Sequence, residues 1–405
     1  MRRGLVLGAV ALILLVVVAA AGVQLFRPLP AARETTALAS TYIVPGGKLE
    51  LPYPATGQAA LYLEGTGWVG QTPGETPVAI ASVTKLMTAL LVVRAHPLAP
   101  NSSGPNLVIS SSDVALYQAD QVSGDSVLPV AAGESISEQQ LLEGLLLPSG
   151  DNVAVLLAQW VSGSEAAFVR AMNAEAKRLG MADTVYADAS GLNPGSISTA
   201  ADLTRLAMKV MDNPALAAIV AMPEAVLPVA GTVHNYDFVL GQQGVVGLKT
   251  GWTEEAGGCF VFAAKREVAG RAAELVGAVL AQPGNAYSGI EAAESASVRL
   301  LAATWPHLQM VTVLPLHDRV GEVVTRWGAT TKLVARSAVA ELGWPGLRLR
   351  LTFRPRALPT APAKGTQVGL LTVEGPGSGP IADAVQTLST LSGPSWGWRL
   401  LDTSL

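Results

Sequence analysis

The stretch Ala79-Ile80-Ala81-Ser82-Val83-Thr84-Lys85-Leu86-Met87-Thr88-Ala89-Leu90-Leu91 constrains this chain more than any other, because it sets a hydroxyl and an amine on the opening turn of a hydrophobic helix. Apolar residues at Leu86, Ala89, Leu90 and Val93 recur at helical spacing, and Pro73, Gly74 and Pro77 forbid an earlier start, so the pattern predicts a helix beginning near Ser82. Positions i and i+3 are neighbours on a helix, which lets the Lys85 amine approach the Ser82 hydroxyl, and the helix N-terminus favours the negative charge of an alkoxide. A serine nucleophile with a lysine base is the chemistry such a pair carries. The same spacing also describes a capped helix with a solvated lysine, since Ser is a common N-cap.

Two later segments separate these readings. Ser149-Gly150-Asp151-Asn152 follows the apolar run Leu141 to Leu147, and Val246-Gly247-Leu248-Lys249-Thr250-Gly251-Trp252-Thr253 follows much later. A Ser-x-x-Lys, a Ser-x-Asn-like element and a Lys-Thr-Gly in that order resemble the signature of the penicillin-recognising serine acyltransferases. The chain resembles, within that group, the D-alanyl-D-alanine carboxypeptidases of the low-molecular-weight penicillin-binding protein family. The likeness continues through Ala132-Gly133-Glu134, Leu145-Leu146-Leu147-Pro148-Ser149-Gly150, Asp188-Ala189-Ser190-Gly191-Leu192 and Ser198-Thr199-Ala200-Ala201-Asp202-Leu203.

The resemblance implies an α+β fold, an antiparallel sheet flanked by helices of the penicillin-binding/β-lactamase-like transpeptidase type, with a small C-terminal β-rich domain behind it. It implies that Ser82 attacks the carbonyl between two D-alanines of a peptidoglycan stem peptide while Lys85 takes its proton. Ser149 would relay a proton to the leaving amine, and backbone N–H groups of Ser82 and Trp252 would form the oxyanion hole. Lys249 and Thr250 would bind the terminal carboxylate, and Gly251 would let the substrate backbone lie against the strand. β-Lactams would be covalent inhibitors, and no cofactor or metal is implied.

The chain departs from the family twice. Asp151 stands where the second motif usually has Asn, and Asn152 follows it. A carboxylate only accepts hydrogen bonds, so Asp151 would hold Lys85 or Lys249, unless a shifted loop brings Asn152 into the substrate-binding place. Ile290-Glu291-Ala292-Ala293-Glu294 also lacks an Arg that several relatives use for the carboxylate. A catalytically impaired peptidoglycan-binding module of the same fold, a DD-endopeptidase and a β-lactamase are therefore the alternatives.

Composition excludes other classes. The net charge is −4 and no Lys/Arg-rich run interrupts the chain, so nucleic acid is not an expected partner. His96, His234, His307 and His317 sit in no motif, which leaves no Ser-His-Asp triad and no metal-ligand spacing. Cys259, the single cysteine, lies in the strand-like Gly257-Gly258-Cys259-Phe260-Val261-Phe262 and reads as a small buried hydrophobe.

Met1-Arg2-Arg3 precedes an uncharged run from Gly4 to Val23, long enough to span roughly 30 Å of hydrocarbon, so residues 1–26 read as a membrane anchor with the rest of the chain extracytoplasmic. Ala19-Ala20-Ala21-Gly22 keeps a cleaved signal peptide, and hence secretion, as the competing reading. Residues 27–50, with Pro28, Pro30 and Gly46-Gly47, read as a tether. Residues 51–309 form the expected catalytic domain, with a hairpin about Glu64-Gly65-Thr66 and a short strand at Val108-Ile109-Ser110 beyond a surface turn at 101–105. A Ser137–Gln140 capping box is expected to open a helix, and further helices are expected near 152–161, 165–179, 199–211 and 292–304. Strands are expected at 245–249, 257–264 and 275–281. Short runs separated by turns make 310–405 the β-rich domain, and its end, Ser395 to Leu401, is too short and Gly-broken for an amphipathic membrane helix.

Overall fold

The structure, a computed structural model, describes residues 2–99 and 102–402, so Asn101 of the expected surface turn lies outside the described residues. The charge-free N-terminal run forms one unbroken helix, α1 (Arg2–Phe26), long and apolar enough to cross a membrane and with its apolar window unburied. The expected tether at 27–50 is corrected by two strands, β1 (Arg33–Thr36) and β2 (Thr41–Ile43), whose partners come from the far end of the chain. All four β1 residues are exposed, so its side chains carry no alternation, and it is held in the sheet by backbone pairing and by Thr35 and Thr36 hydroxyls donating to Glu322 O and Val320 O.

The central sheet has five antiparallel strands. In spatial order they are β5 (Val245–Thr253), β6 (Gly257–Val268), β7 (Arg271–Gln282), β3 (Gln58–Leu63) and β4 (Gly67–Gln71). Every residue of β3 is buried, because the sheet is covered on both faces. Ala60 and Tyr62 join Val261, Ala263 and Ala278 in a core with the helices on one side, while Ala59, Leu61 and Leu63 join Phe260, Phe262 and Val279 on the other. The helical side holds α2 (Lys85–Ala95), α4 (Glu138–Leu146), α5 (Asp151–Ser162), α6 (Glu165–Arg178), α7 (Ala200–Met211) and α8 (Pro214–Val220). The helix α9 (Ala286–Thr304) lies across the second face. There Gly258 backs directly onto the Gly289 carbonyl, a contact that leaves no space for a Cβ.

Local chemistry sets the helix ends. The Ser137 hydroxyl accepts from Gln140 N–H while the Gln140 side chain accepts from Ser137 N–H, the expected capping box of α4. Ser110 and Asp113 make the same reciprocal cap on α3 (Ser111–Ser123), a helix the sequence reading did not find, and the strand before it is Asn106–Val108 rather than 108–110.

The C-terminal β-rich part contributes β8 (Gln309–Leu314), β9 (Arg319–Val324), β10 (Thr330–Ala335), β11 (Val339–Gly343), β12 (Arg348–Pro355), β13 (Gln367–Glu374) and β14 (Ile381–Thr387). Its seven-stranded sheet runs β1-β9-β10-β14-β13-β12-β2, with β8 and β11 paired beside it. It is fastened to the central sheet by the buried Thr66 Oγ1 donating to Leu342 O at 3.0 Å and by Trp68 N–H donating to Pro376 O at 2.8 Å. The short helix α10 (Trp396–Leu401) packs at the exit of α1, where Arg399 Nη1 donates to Leu25 O at 2.5 Å.

Candidate active site

The region around Ser82 differs from a plain α-helical start. Residues Ala81–Thr84 form a 3₁₀ turn, and α2 begins only at Lys85. With three residues per turn, positions 82 and 85 stack directly above one another, closer in register than on an α-helix. Ala81 enters this turn at φ +47°, a conformation costly for a residue with a Cβ, and it is held there by surroundings that are almost wholly buried.

Lys85 is fully buried, and its Nζ lies 2.8 Å from Ser82 Oγ, 2.6 Å from Asp151 Oδ1 and 2.9 Å from Ser190 O. Asp151 is thus the partner of Lys85. Its other oxygen accepts from Ser126 N–H at 3.0 Å, and its own N–H donates to Ser126 O at 2.7 Å, which ties the start of α5 to the segment after α3. The Ser190 carbonyl is presented by a loop wound around Asp188, whose Oδ2 accepts from the Ser190 hydroxyl and the Gly191 N–H, both at 2.8 Å.

Asn152 is the correction among the expected site residues. Its side-chain amide donates to Leu128 O and accepts from Leu128 N–H, each at 2.9 Å, and faces away from the cleft. Position 151 is the first residue of α5 and position 152 the second, so successive side chains diverge by about 100° and only one of them points at Lys85.

Ser149 lies between α4 and α5 at φ +69°, and its Oγ is buried with no hydrogen-bond partner. Lys249, Thr250, Gly251 and Trp252 come from β5, the edge of the central sheet, which leaves backbone groups of one side free for an extended peptide. A Cβ on Gly251 would stand 2.9 Å from Ser82 N, so the strand lies against the turn that carries Ser82. Thr250 Oγ1 donates to Tyr236 O at 3.3 Å, and Trp252 Nε1 donates to Gly284 O at 2.9 Å. Ser82, Ser149, Asp151, Lys249, Thr250, Gly251 and Trp252 line one cleft of about 390 Å³, and Asp125 and Glu254 stand on its wall.

The Lys249 amine is pushed down to about 7, first by burial and then by the Lys85 cation, while Asp151 and Asp237 pull the other way. Asp237 is itself buried, with Oδ2 unpartnered, and burial pushes its carboxyl up to about 7 against the Val239 N–H and the Lys249 charge. Glu294 on α9 accepts from Phe238 N–H at 2.9 Å and is likewise raised to about 7, by burial first. Sequence reading missed Asp237, Glu294 and the Ser190 carbonyl. The available signal for the first was an acid set among apolar residues in Tyr236-Asp237-Phe238-Val239-Leu240.

Among the described residues no histidine lines this cleft: His96 stacks on Trp160 and His234 approaches Glu224. Cys259 is buried and its thiol is pushed up to about 12 by burial, the condition of an inert core cysteine. The arrangement can therefore do acyl transfer by an amine-activated hydroxyl, with a second hydroxyl and a cation at hand.

Comparison with known proteins identifies the family and the fold. The D-alanyl-D-alanine carboxypeptidase family model matches residues 69–280. A D-alanyl-D-alanine endopeptidase of Pseudomonas aeruginosa is 33% identical over 220 residues, 51% of this chain and 66% of that one. A D-alanyl-D-alanine carboxypeptidase of Bacillus subtilis is 29% identical over 205 residues, 47% of this chain and 48% of that one. The chain thus spans between about half and two thirds of these two relatives. A Streptomyces D-alanyl-D-alanine carboxypeptidase is 30% identical over 256 residues, 58% of this chain and 82% of that one.

A Streptomyces DD-transpeptidase crystal structure superposes with a TM-score of 0.55 at 26% identity, covering 63% of this chain and 98% of that one. A D-alanyl-D-alanine carboxypeptidase structure from Francisella tularensis, at 21% identity and a TM-score of 0.60, covers 87% of this chain and 96% of that one, and shares the fold. On its match over residues 69–280, the chain belongs to the D-alanyl-D-alanine carboxypeptidase family.

Proposed function

We propose that this protein is a serine-type D-Ala-D-Ala carboxypeptidase that trims peptidoglycan stem peptides through an acyl-enzyme on Ser82. The observation that carries the reading is the 2.8 Å approach of Lys85 Nζ to Ser82 Oγ in the cleft that Lys249 also enters. Lys85 takes the Ser82 proton as Oγ attacks the penultimate D-Ala carbonyl. The oxyanion is met by the N–H groups of Ser82 and Trp252. The C–N bond breaks as a proton passes through Ser149 to the departing D-Ala amine, and water then hydrolyses the ester. Lys249 and Thr250 receive the free carboxylate, and Gly251 keeps the strand edge open to the peptide.

The catalytic unit in this reading is 51–309, with 310–405 as its β-rich companion domain, and α1 is retained as a single-pass anchor that leaves both outside the cytoplasm. β-Lactams acylate the same serine. The purified protein should label with fluorescent penicillin and Ser82→Ala should not; a wild type that never labels and never releases D-alanine would remove the reading. Incubation with cross-linked muropeptides separates carboxypeptidase from endopeptidase by which bond is cut. One observation favours a second reading, an impaired peptidoglycan-binding module: Asp151, 2.6 Å from Lys85, stands where the family's second motif has Asn, and its carboxylate can accept but not donate a hydrogen bond to a substrate. Muropeptide binding without turnover would select it.

A further inference from the structure

The strand β12 carries a feature that catalysis does not use. Its sequence, Arg348-Leu349-Arg350-Leu351-Thr352-Phe353-Arg354-Pro355, alternates strictly, with Leu349 and Leu351 buried and Arg348, Arg350, Thr352 and Arg354 exposed. Arg356, also exposed, continues the alternation, because its N–H donates to Val368 O at 2.8 Å and prolongs the pairing with β13. Four guanidinium groups therefore stand on one face of one strand over about 26 Å, with neighbouring positions roughly 6.6 Å apart.

Their charge is answered only in part: among the described residues the one ion pair in the row joins Arg350 to Glu374, its cross-strand neighbour, at 3.9 Å. The flanking positions on the same face are Thr41 and Ile43 of β2 and Glu374, Thr372 and Leu370 of β13, so Glu374 opposite Arg350 is the one acid among them. A solvated sheet face mixes both signs, and an edge strand defended against self-association needs only scattered charge. This row has one sign. It also lies in the basic part of a polarised molecule: residues 310–405 carry 10 Lys/Arg against 6 Asp/Glu, whereas residues 51–309 carry 12 against 23.

We infer that the outer face of β12 is a docking surface for a linear phosphodiester polymer lying along the strand. Arg forks pair bidentately with phosphate, and two pairs of arginines in single file, separated by Thr352, match a thread that bears anions along its length. A bilayer would be met by a broader patch than one strand's width. The surface holds the protein to such a polymer independently of Ser82.

The test uses the full chain in nanodiscs of neutral lipid, titrated with labelled poly(glycerol phosphate) of two, four and eight units and, separately, with phosphatidylglycerol vesicles. Affinity should rise from two to four units and weaken with added salt. Replacing Arg348, Arg350, Arg354 and Arg356 together by Gln should weaken it at least about tenfold, since each exposed contact contributes a fraction of a kcal/mol. Removing four charges elsewhere (Arg170→Gln, Lys177→Gln, Arg271→Gln, Arg299→Gln) should not. The corresponding Arg→Lys variant, which keeps the charge but not the fork, should fall between and guards against a misfolded Gln variant. Penicillin labelling should be unchanged throughout, so this proposal and the catalytic one fail separately. Equal loss in the control variant, binding independent of polymer length, or binding to vesicles alone would overturn it.

Discussion

Lys85 has three acceptors around its nitrogen, Ser82 Oγ, Asp151 Oδ1 and Ser190 O, an arrangement that suits an ammonium donating three times or a neutral amine that donates twice and takes the Ser82 proton. Asp151→Asn should lower stability by about 1–3 kcal/mol, measured by chemical denaturation, because an NH2 group then replaces one of the two oxygens that accept from Lys85 and from the Ser126 N–H. Unchanged stability would show that Lys85 or Ser126 finds another acceptor. Lys249, with its amine near 7, makes a second prediction: KM for a peptide ending in a free carboxylate should climb as pH rises above about 7, and Lys249→Gln should show the high KM at every pH.

Elements whose side chains sort sharply by burial were legible, and those with little or no burial were not. The apolar stripe of α2, the cap of α4 and the break at Pro148-Ser149-Gly150 were read from residues that face a core. By contrast α3 buries none of its residues fully, with Val114 and Tyr117 only half-buried against the core, and β1 exposes all four, so the period is weak in one and absent in the other. The tether reading of 27–50 failed because two short edge strands are recruited across roughly 285 to 310 residues of chain, a pairing no local pattern encodes. In the site, motif order brought Ser82, Lys85, Ser149 and Lys249 together, but which of Asp151 and Asn152 faces inward depended on where α5 begins. The contact of β5 with the 3₁₀ turn is equally an element-level fact. Gly251→Ala would drive a methyl against Ser82 N and part strand from turn, so acylation should fall about 100-fold, with far-UV circular dichroism unchanged. Retained labelling would mean the turn can yield without losing its geometry.

At the scale of the whole molecule, the buried charges behind the cleft set how stability depends on pH. Asp237 and Glu294 titrate near 4 in the unfolded chain and near 7 in the folded one, so between those values the native state holds protons that the unfolded state has lost. Their contribution is full below about pH 4 and is lost as pH rises through 7. Lys249 acts in the next window: its folded value near 7 lies below the unfolded 10.5, so from 7 upward the unfolded state binds more protons and stability recovers. These three groups together predict a dip in thermal stability near neutrality. Paired replacement by Asp237→Asn and Glu294→Gln should flatten the descending limb, by an amount on the order of a few kcal/mol between pH 4.5 and 7.5, and leave the rise above pH 7 in place. Lys249→Met should do the reverse. Scanning calorimetry across that range on the three proteins separates the limbs, and a descending limb that survives in the paired variant would place its origin elsewhere, in the acidic surface of residues 51–309 rather than in the two buried acids behind Lys249.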